Sequence, residues 1–295
     1  MKSSSLLVNA VNFVSVVQSE IKARGPEAKF SYERALKTGH AKVYRARIIL
    51  IGQDRAGKTS LKKSLLGMPF NPNEQSTDGI EIDPWKFEID VDQVKNWQRT
   101  DENLGMNLQS DDRSTEHHIT LDLWDFAGQH LYYASYPVFL SSRAVYVLVY
   151  NLSKRLNETA MPSYRDGNVH PTLKNPTGET NLENLLSWLV SVSTMSSPKP
   201  AVDESKETKK GLSYLRPLVF IVGTHADKPV EDINTMKQQI LEEISGKDYA
   251  CHVMRPIFAI DNTQGSSSDG IRELQKRLIE VLKEEPYMGE EVPVR

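Results

Sequence analysis

Residues 47–60 read RIILIGQDRAGKTS, and this stretch decides the fold. A continuous apolar run that stops at a glycine predicts a central strand covered on both faces. Gly52 to Thr59, GQDRAGKT, fits the pattern G-x-x-x-x-G-K-[ST], and helical spacing follows over 58–66. In that setting the two glycines let the backbone curl so that successive amides face a phosphate, with the positive end of the following helix behind them. Lys58 is expected to reach the β- and γ-phosphates and the Thr59 hydroxyl to ligate Mg²⁺. Gly52, Arg55, Ala56, Gly57, Lys58, Thr59 and Ser60 are the expected contacts of this loop. Such a string arises by chance in about one chain in a hundred of this length. The flanking strand and helix therefore weigh against an ordinary glycine turn.

Working outward, the same kind of apolar run returns at 144–150 (AVYVLVY) and 218–223 (LVFIVG), again as buried strands. Residues 118–124 alternate cleanly through Ile119, Leu121 and Leu123. A strand at 81–89 is pushed toward an edge by Pro84, and 256–262 (PIFAIDN) supplies a last one. Helical spacing links Leu182, Leu185, Leu186, Leu189 and Val190, then Ile233, Met236, Ile240, Leu241 and Ile244, then Ile271, Leu274, Leu278 and Leu282. Strands alternating with helices predict an α/β fold with an open, mostly parallel sheet and right-handed crossovers.

The 295 residues carry a formal charge of -3, which gives no broad cationic surface for a phosphate backbone, so nucleic acid is not an expected partner. The single cysteine, Cys251, excludes an internal disulfide framework and fits a reducing compartment, with the cytoplasm as the expected location. The most apolar stretch, 6–17, is interrupted by Asn9, Asn12 and Ser15 and is too short to span a bilayer; no transmembrane segment is expected. A packed amphipathic helix explains it better than a cleaved leader. Residues 1–42 are read as a helical extension or linker, with helices at 6–22 and 32–37 around the Gly25-Pro26 break. Polar insertions near 99–116, 155–180 and 196–211 read as solvated loops more readily than as regulatory segments.

Residues 124–129, WDFAGQ, follow the alternating strand, which puts Asp125 where the carboxylate of a P-loop Mg²⁺ site belongs. Taken alone, Asp125 is equally a strand-end turn residue. Gly128 is expected to offer its amide to the γ-phosphate and Gln129 to orient the attacking water. Within STDG (76–79), Thr77 is the expected hydroxyl that meets Mg²⁺ only while the γ-phosphate is present; Ser76 is the substitute, and a capping or turn role is the bland alternative.

The segment 223–227, GTHAD, ends a buried strand. Asp227 can accept both the ring N–H and the exocyclic amine of guanine, a donor pair that adenine does not present, so GTP and GDP are expected over ATP. Thr224 and His225 stand where Asn-Lys is common, with Lys228 following Asp227, and weaker nucleotide binding is expected from that change. By itself His225 reads as a strand-end histidine with a satisfied hydrogen bond. The backbone of Asp261 and Asn262 is expected to close over the guanine carbonyl.

GQDRAGKT, STDGIEI, WDFAGQ continuing into HLYYASYPVFLSSRAVYVLVYNLSK, and above all GTHAD, resemble the Roc (Ras of complex proteins) GTPase domain of the Roco family. The resemblance implies a Ras-like P-loop GTPase fold with a mostly parallel six-stranded sheet, helices on both faces and five helices in all. It also implies slow Mg²⁺-dependent GTP hydrolysis as a switch within a larger signalling protein, and a following COR domain as partner, through which homodimers form. The Roc domain is expected over 43–286, with 287–295 (ending GEEVPVR) starting the approach to COR. No kinase signature or leucine-rich repeat is present, and regulatory or effector proteins cannot be named from these residues. Arg55 and Arg143 are the nearest candidates for an internal arginine finger, against the default of solvated surface arginines. Asp54, near the expected γ-phosphate, keeps open the alternative of a nucleotide-dependent interaction scaffold without significant turnover.

Overall fold

The computed structural model describes residues 40–74, 77, 79–89, 94–99, 118–128, 139–161, 171–172, 175, 178–196 and 216–293. The expected helices at 6–22 and 32–37 and most of the three insertions lie outside them. Two compact units are present, 45–288 and a smaller one made of both chain ends. In the smaller unit β1 (His40–Val43) pairs antiparallel with β9 (Glu290–Pro293). Nothing in residue order marks this ribbon, since each strand is four residues long.

The larger unit holds β2 (Arg45–Ile51), β3 (Ile80–Ile89), β4 (Val94–Arg99), β5 (His118–Phe126), β6 (Val145–Asn151), β7 (Leu218–Thr224) and β8 (Val253–Ala259). They form one sheet in the order β4-β3-β5-β2-β6-β7-β8. β5, β2, β6, β7 and β8 run parallel, and β3 is antiparallel to β5. This is the expected six-stranded, mostly parallel sheet with a seventh strand, β4, added antiparallel to β3. Pro84 has the expected effect on half of its strand: it faces Asp122 of β5, while pairing to β4 begins only at Trp85. Among the described residues the Ile80–Pro84 half of β3 has no partner on that side, where the missing proline N–H breaks no ladder.

β2 is central because its carboxyl-terminal half has nothing polar to offer water: Ile48, Ile49, Leu50 and Ile51 are all fully buried. Ile49 and Ile51 join Tyr146, Leu148 and Ile221 in a layer covered by α2 (Asn181–Ser193) and α3 (Ile233–Ile244). Ile48 and Leu50 alternate onto the other face. There α1 (Lys58–Leu65) touches α4 (Asp269–Glu284), and the Gln275 amide donates to the Leu65 carbonyl at 2.7 Å. Four α-helices are thus present among the described residues, two on each face.

Local chemistry sets the helix ends. Thr180 and Glu183 form a reciprocal capping box that starts α2, and these bonds hold the Glu183 carboxyl below its ordinary range. Asp232 accepts from the Thr235 amide at 2.8 Å to start α3. The 155–180 insertion is tied down at both ends: Thr159 bridges Thr180, the Asn175 amide donates to the Ala160 and Glu179 carbonyls, and Leu156 and Ala160 are buried. β8 begins three residues before the expected Pro256 and stops before Asp261, where the Asp261 carboxylate caps a 3₁₀ turn over Asn262–Ser267.

From β2 the chain first builds the β3, β4 and β5 side of the sheet and then crosses to β6, β7 and β8 on the other. The carboxyl end of β2 is therefore the topological switch point, where open α/β sheets form their ligand crevice.

At the end of α4, burial without a counter-ion pushes the Glu285 carboxyl up to about 7. A raised carboxyl stabilises the fold fully below its unfolded value and loses that contribution as pH rises through about 7. Glu285→Gln is expected to raise the thermal midpoint at pH 8 while leaving it nearly unchanged at pH 4; equal effects at both pH values would refute this account.

Candidate functional site

A cavity of about 470 Å³ opens at the switch point. Its lining gathers Arg55, Gly57, Lys58, Thr59, Ser60, Thr77, Gly128, His225, Asp227, Lys228 and Asn262 from five separate segments. The loop that forms its floor needs its glycines. A Cβ on Gly52, at φ 132°, would lie 2.2 Å from the Val149 carbonyl oxygen, and Gly57 opens α1 in the left-handed region at φ 81°. Arg55 takes φ 56°, a strained setting for a side chain, and stays exposed at the rim.

Lys58 is buried and donates to the Gly52 carbonyl at 3.0 Å and the Gln53 carbonyl at 2.8 Å, so its ammonium is held at the loop's centre. Burial pushes its pKa below the ordinary value, while Asp125 and then Asp54 push it back up. One residue on, the Thr59 hydroxyl donates to Asp125 Oδ2 at 2.6 Å and lies 2.9 Å from the Thr77 hydroxyl, which itself sits 3.2 Å from Asp125 Oδ2. Thus the three expected metal ligands, far apart in sequence, meet at one point. Asp125 is fully buried, and its Oδ1 has no hydrogen-bond partner. Burial raises its pKa most, and Lys58, the Thr59 hydroxyl, Lys62 and the Thr77 hydroxyl oppose that. Two hydroxyls and a carboxylate with an orphaned oxygen are a hard oxygen donor set that suits Mg²⁺.

The far wall is set by GTHAD. Thr224 is fully buried, donates to the Ala56 carbonyl at 2.5 Å, lies 3.2 Å from the Tyr150 carbonyl, and sits 3.0 Å from His225 Nδ1. Threonine thus does here what a longer asparagine would do, pinning the loop to the end of β7. Asn151 adds a second tie through the Arg55 carbonyl at 3.5 Å. His225 adopts φ 58°, which brings its ring beside Gly57: a Cβ there would lie 3.4 Å from His225 Cε1. Burial lowers the imidazole pKa, with Asp227 opposing, so the ring is neutral at physiological pH. Asp227 is a quarter exposed and 3.5 Å from the Lys228 ammonium.

Gly128 packs directly on the loop, where a Cβ would fall 2.3 Å from the Asp54 amide nitrogen and 2.4 Å from Lys58 Nζ. Asp54 itself is buried. The Asp261 carboxylate accepts from Thr263 and Gln264, while Asn262 and Thr263 line the cavity; these side-chain bonds leave the backbone role expected of Asp261 and Asn262 untouched. Asn262 also reaches the Gly57 carbonyl at 3.5 Å. Arg143 lies just before β6, at the opposite end from the cavity-lining segments, which removes it as an arginine finger. Gln129 and Ser76 lie outside the described residues.

Sequence reasoning missed the wall formed by Phe70, Asn71, Pro72 and Glu74 after α1. Nothing in a short polar loop with one aromatic distinguishes it from a surface turn. The ion pair from Lys63 to Glu74, at 2.5 Å, anchors that wall to the helix.

Fold and loop together define a P-loop domain of Ras-like architecture. A family profile described as "Ras of Complex, Roc, domain of DAPkinase" matches residues 100–166. The chain is 27% identical over 279 residues to "Probable serine/threonine-protein kinase pats1" of Dictyostelium discoideum, covering 93% of this chain and 7% of that protein. It is 24% identical over 287 residues to "Cyclic GMP-binding protein C" of the same organism, covering 93% and 8%. The chain thus spans under a tenth of the length of these curated relatives. Among solved structures, Methanosarcina barkeri Roco2 RocCORdC bound to GDP is similar in fold, with a TM-score of 0.50, 22% identity, and coverage of 86% of this chain and 54% of that one. The chain is thus similar to Roc domains, the domain whose profile matches residues 100–166, and to proteins of the Roco group that carry them.

Thr224→Val keeps the side-chain shape but leaves the Ala56 carbonyl without its hydroxyl donor. Denaturant unfolding is expected to show a loss of about 1–3 kcal/mol, and a loss under about 0.5 kcal/mol would show that the pin is not needed.

Proposed function

We propose that this domain binds GTP and GDP with Mg²⁺ and hydrolyses GTP slowly, as the regulatory switch of a larger multidomain protein. The observation that carries this reading is the convergence of Thr59, Thr77 and Asp125 beside Lys58, at the mouth of a cavity whose far wall holds Asp227. A nucleotide laid along the cavity would put its phosphates on the loop and its base against His225 and Asp227. Asp227 then accepts the guanine donor pair, and the neutral His225 ring covers the base.

Lys58 gives up its two carbonyl contacts to take the β- and γ-phosphate oxygens, where its charge is worth most as the bond to the leaving oxygen lengthens. Thr59, Thr77 and Asp125 would hold Mg²⁺, and the bound ion would supply positive charge to the phosphate oxygens. Thr77 is the switch element: its hydroxyl belongs to the segment before β3, which is free to leave once the γ-phosphate is gone. The Gly128 amide faces the γ-phosphate, and Gln129 orients the water that attacks in line. Little covalent chemistry is needed, so an intrinsic rate on the order of 10⁻⁴ per second, the unassisted Ras scale, is expected.

A second reading has its own observation. Gly128 sits close on the Asp54 amide and Lys58, and Asp54 is buried, which keeps a carboxylate within the loop that would hold the γ-phosphate. This favours a nucleotide-dependent scaffold that binds without significant turnover. The Roco2 structure is a RocCORdC, which supports a COR domain of the same polypeptide as partner; a homodimer through that domain is part of the proposal. No described helix is long and apolar enough to cross a membrane. The single cysteine is exposed and free, which supports the cytoplasm as the proposed location.

Phosphate release from GTP with Mg²⁺ separates the readings. Slow release that Lys58→Ala abolishes and Gln129→Leu reduces at least about tenfold supports the switch. Retained GDP binding with no release supports the scaffold.

A further inference from the structure

Besides Lys58, α1 buries a second lysine, Lys62, whose side chain is 3% exposed. It lies one helical turn beyond Lys58 and three residues beyond Thr59, so all three share the face of α1 turned toward β5. An ammonium this deep is costly unless it is paired. Among its partners are two carboxylates, Glu81 Oε2 at 2.7 Å and Asp125 Oδ2 at 4.0 Å.

The sheet explains why two acids meet there. Glu81 of β3 stands directly opposite Asp125 of β5 in the antiparallel ladder, a position where like charges repel. Glu81 is half exposed and can turn to water, whereas Asp125 is fully enclosed and must find its charge balance inside the protein. Lys62 reaches both from the helix above. It therefore occupies, beside the metal carboxylate, a place where a fixed positive charge does part of what a bound cation would do.

We infer that Lys62 is a resident counter-cation of the metal site, a positioning residue that balances Asp125 when no metal is bound and repels an entering divalent ion. Nucleotide binding in this domain consequently depends on Mg²⁺ less steeply than the Thr59, Thr77 and Asp125 donor set would impose without it. The inference rests on the nucleotide reading above and deepens it.

The test uses the 295-residue chain and a fluorescent GDP analogue. Its dissociation constant is measured in excess Mg²⁺ and in excess chelator, and the chelator-to-Mg²⁺ ratio is compared among variants. Lys62→Met is expected to raise the ratio at least about tenfold, as loss of a charge contact near 4 Å in a partly shielded interior implies. Lys62→Arg, which keeps the charge, is expected to stay within about threefold of wild type. Glu81→Gln releases the ammonium toward Asp125 and is expected to lower the ratio. An unchanged ratio in Lys62→Met overturns the inference. If that variant does not fold, Glu81→Gln decides alone: a lower ratio supports the role, and an unchanged or higher one refutes it. A wild-type chain that binds the analogue in neither condition overturns the nucleotide reading and this inference together, whereas binding with an unmoved ratio overturns only the latter.

Discussion

The buried carboxylate of Asp125 is the constraint on which the rest of the site depends. A charge with no exposure to water must be met by fixed partners, and here these come from two directions: the Thr59 hydroxyl and the two buried lysines of α1, and the Thr77 hydroxyl ahead of β3. Moving α1 by a fraction of a turn would strand the carboxylate. The apolar face of that helix, Leu61 and Leu65 against the sheet, thus fixes the polar geometry as well as the core. Stability and site geometry share the same few contacts.

The loop between β2 and α1 is held by its neighbours more than by its own bonds. Thr224 from β7, Asn151 from β6, Asn262 after β8 and Gly128 after β5 each touch it. Every parallel strand that borders the switch point therefore sends one residue to the same few backbone atoms. This arrangement explains how Thr224 and His225 can stand in for a longer polar pair. The threonine hydroxyl is already at contact distance from the Ala56 carbonyl, and the left-handed turn at His225 swings the ring over Gly57. Such a turn costs on the order of 1–3 kcal/mol and persists only where the surroundings impose it.

Much of the fold was legible in residue order. Strands buried on both faces announce themselves as unbroken apolar runs, and β2, β6 and β7 fall within a residue or two of where those runs lie. The helix at 269–284 repeats its apolar residues with a clear helical period and buries each of Ile271, Leu274, Leu278 and Leu282. What escaped was short or mixed in character. β4 (VKNWQR) has no alternation to mark it, and the β1 and β9 ribbon joins tetrapeptides some 250 residues apart, a pairing that only closure of the chain reveals.

The site divides along the same line. Sequence by itself determined the residue types that chemistry requires in fixed local spacing: the glycines and Lys58-Thr59 of the loop, Asp125 and Gly128 at a strand end, and Asp227 at another. A phosphate loop or a strand-end acid works through a few consecutive backbone units, so its signature is local. Only the tertiary structure decided which of these meet. It brought Thr77 onto Thr59 and Asp125, turned the Asp261 carboxylate into a cap while Asn262 faced the cavity, removed Arg143 to the opposite end of the sheet, and set Lys62 between Glu81 and Asp125. Those outcomes depend on strand register and helix rotation, which are fixed by packing across the whole core and leave no mark in any single stretch of chain.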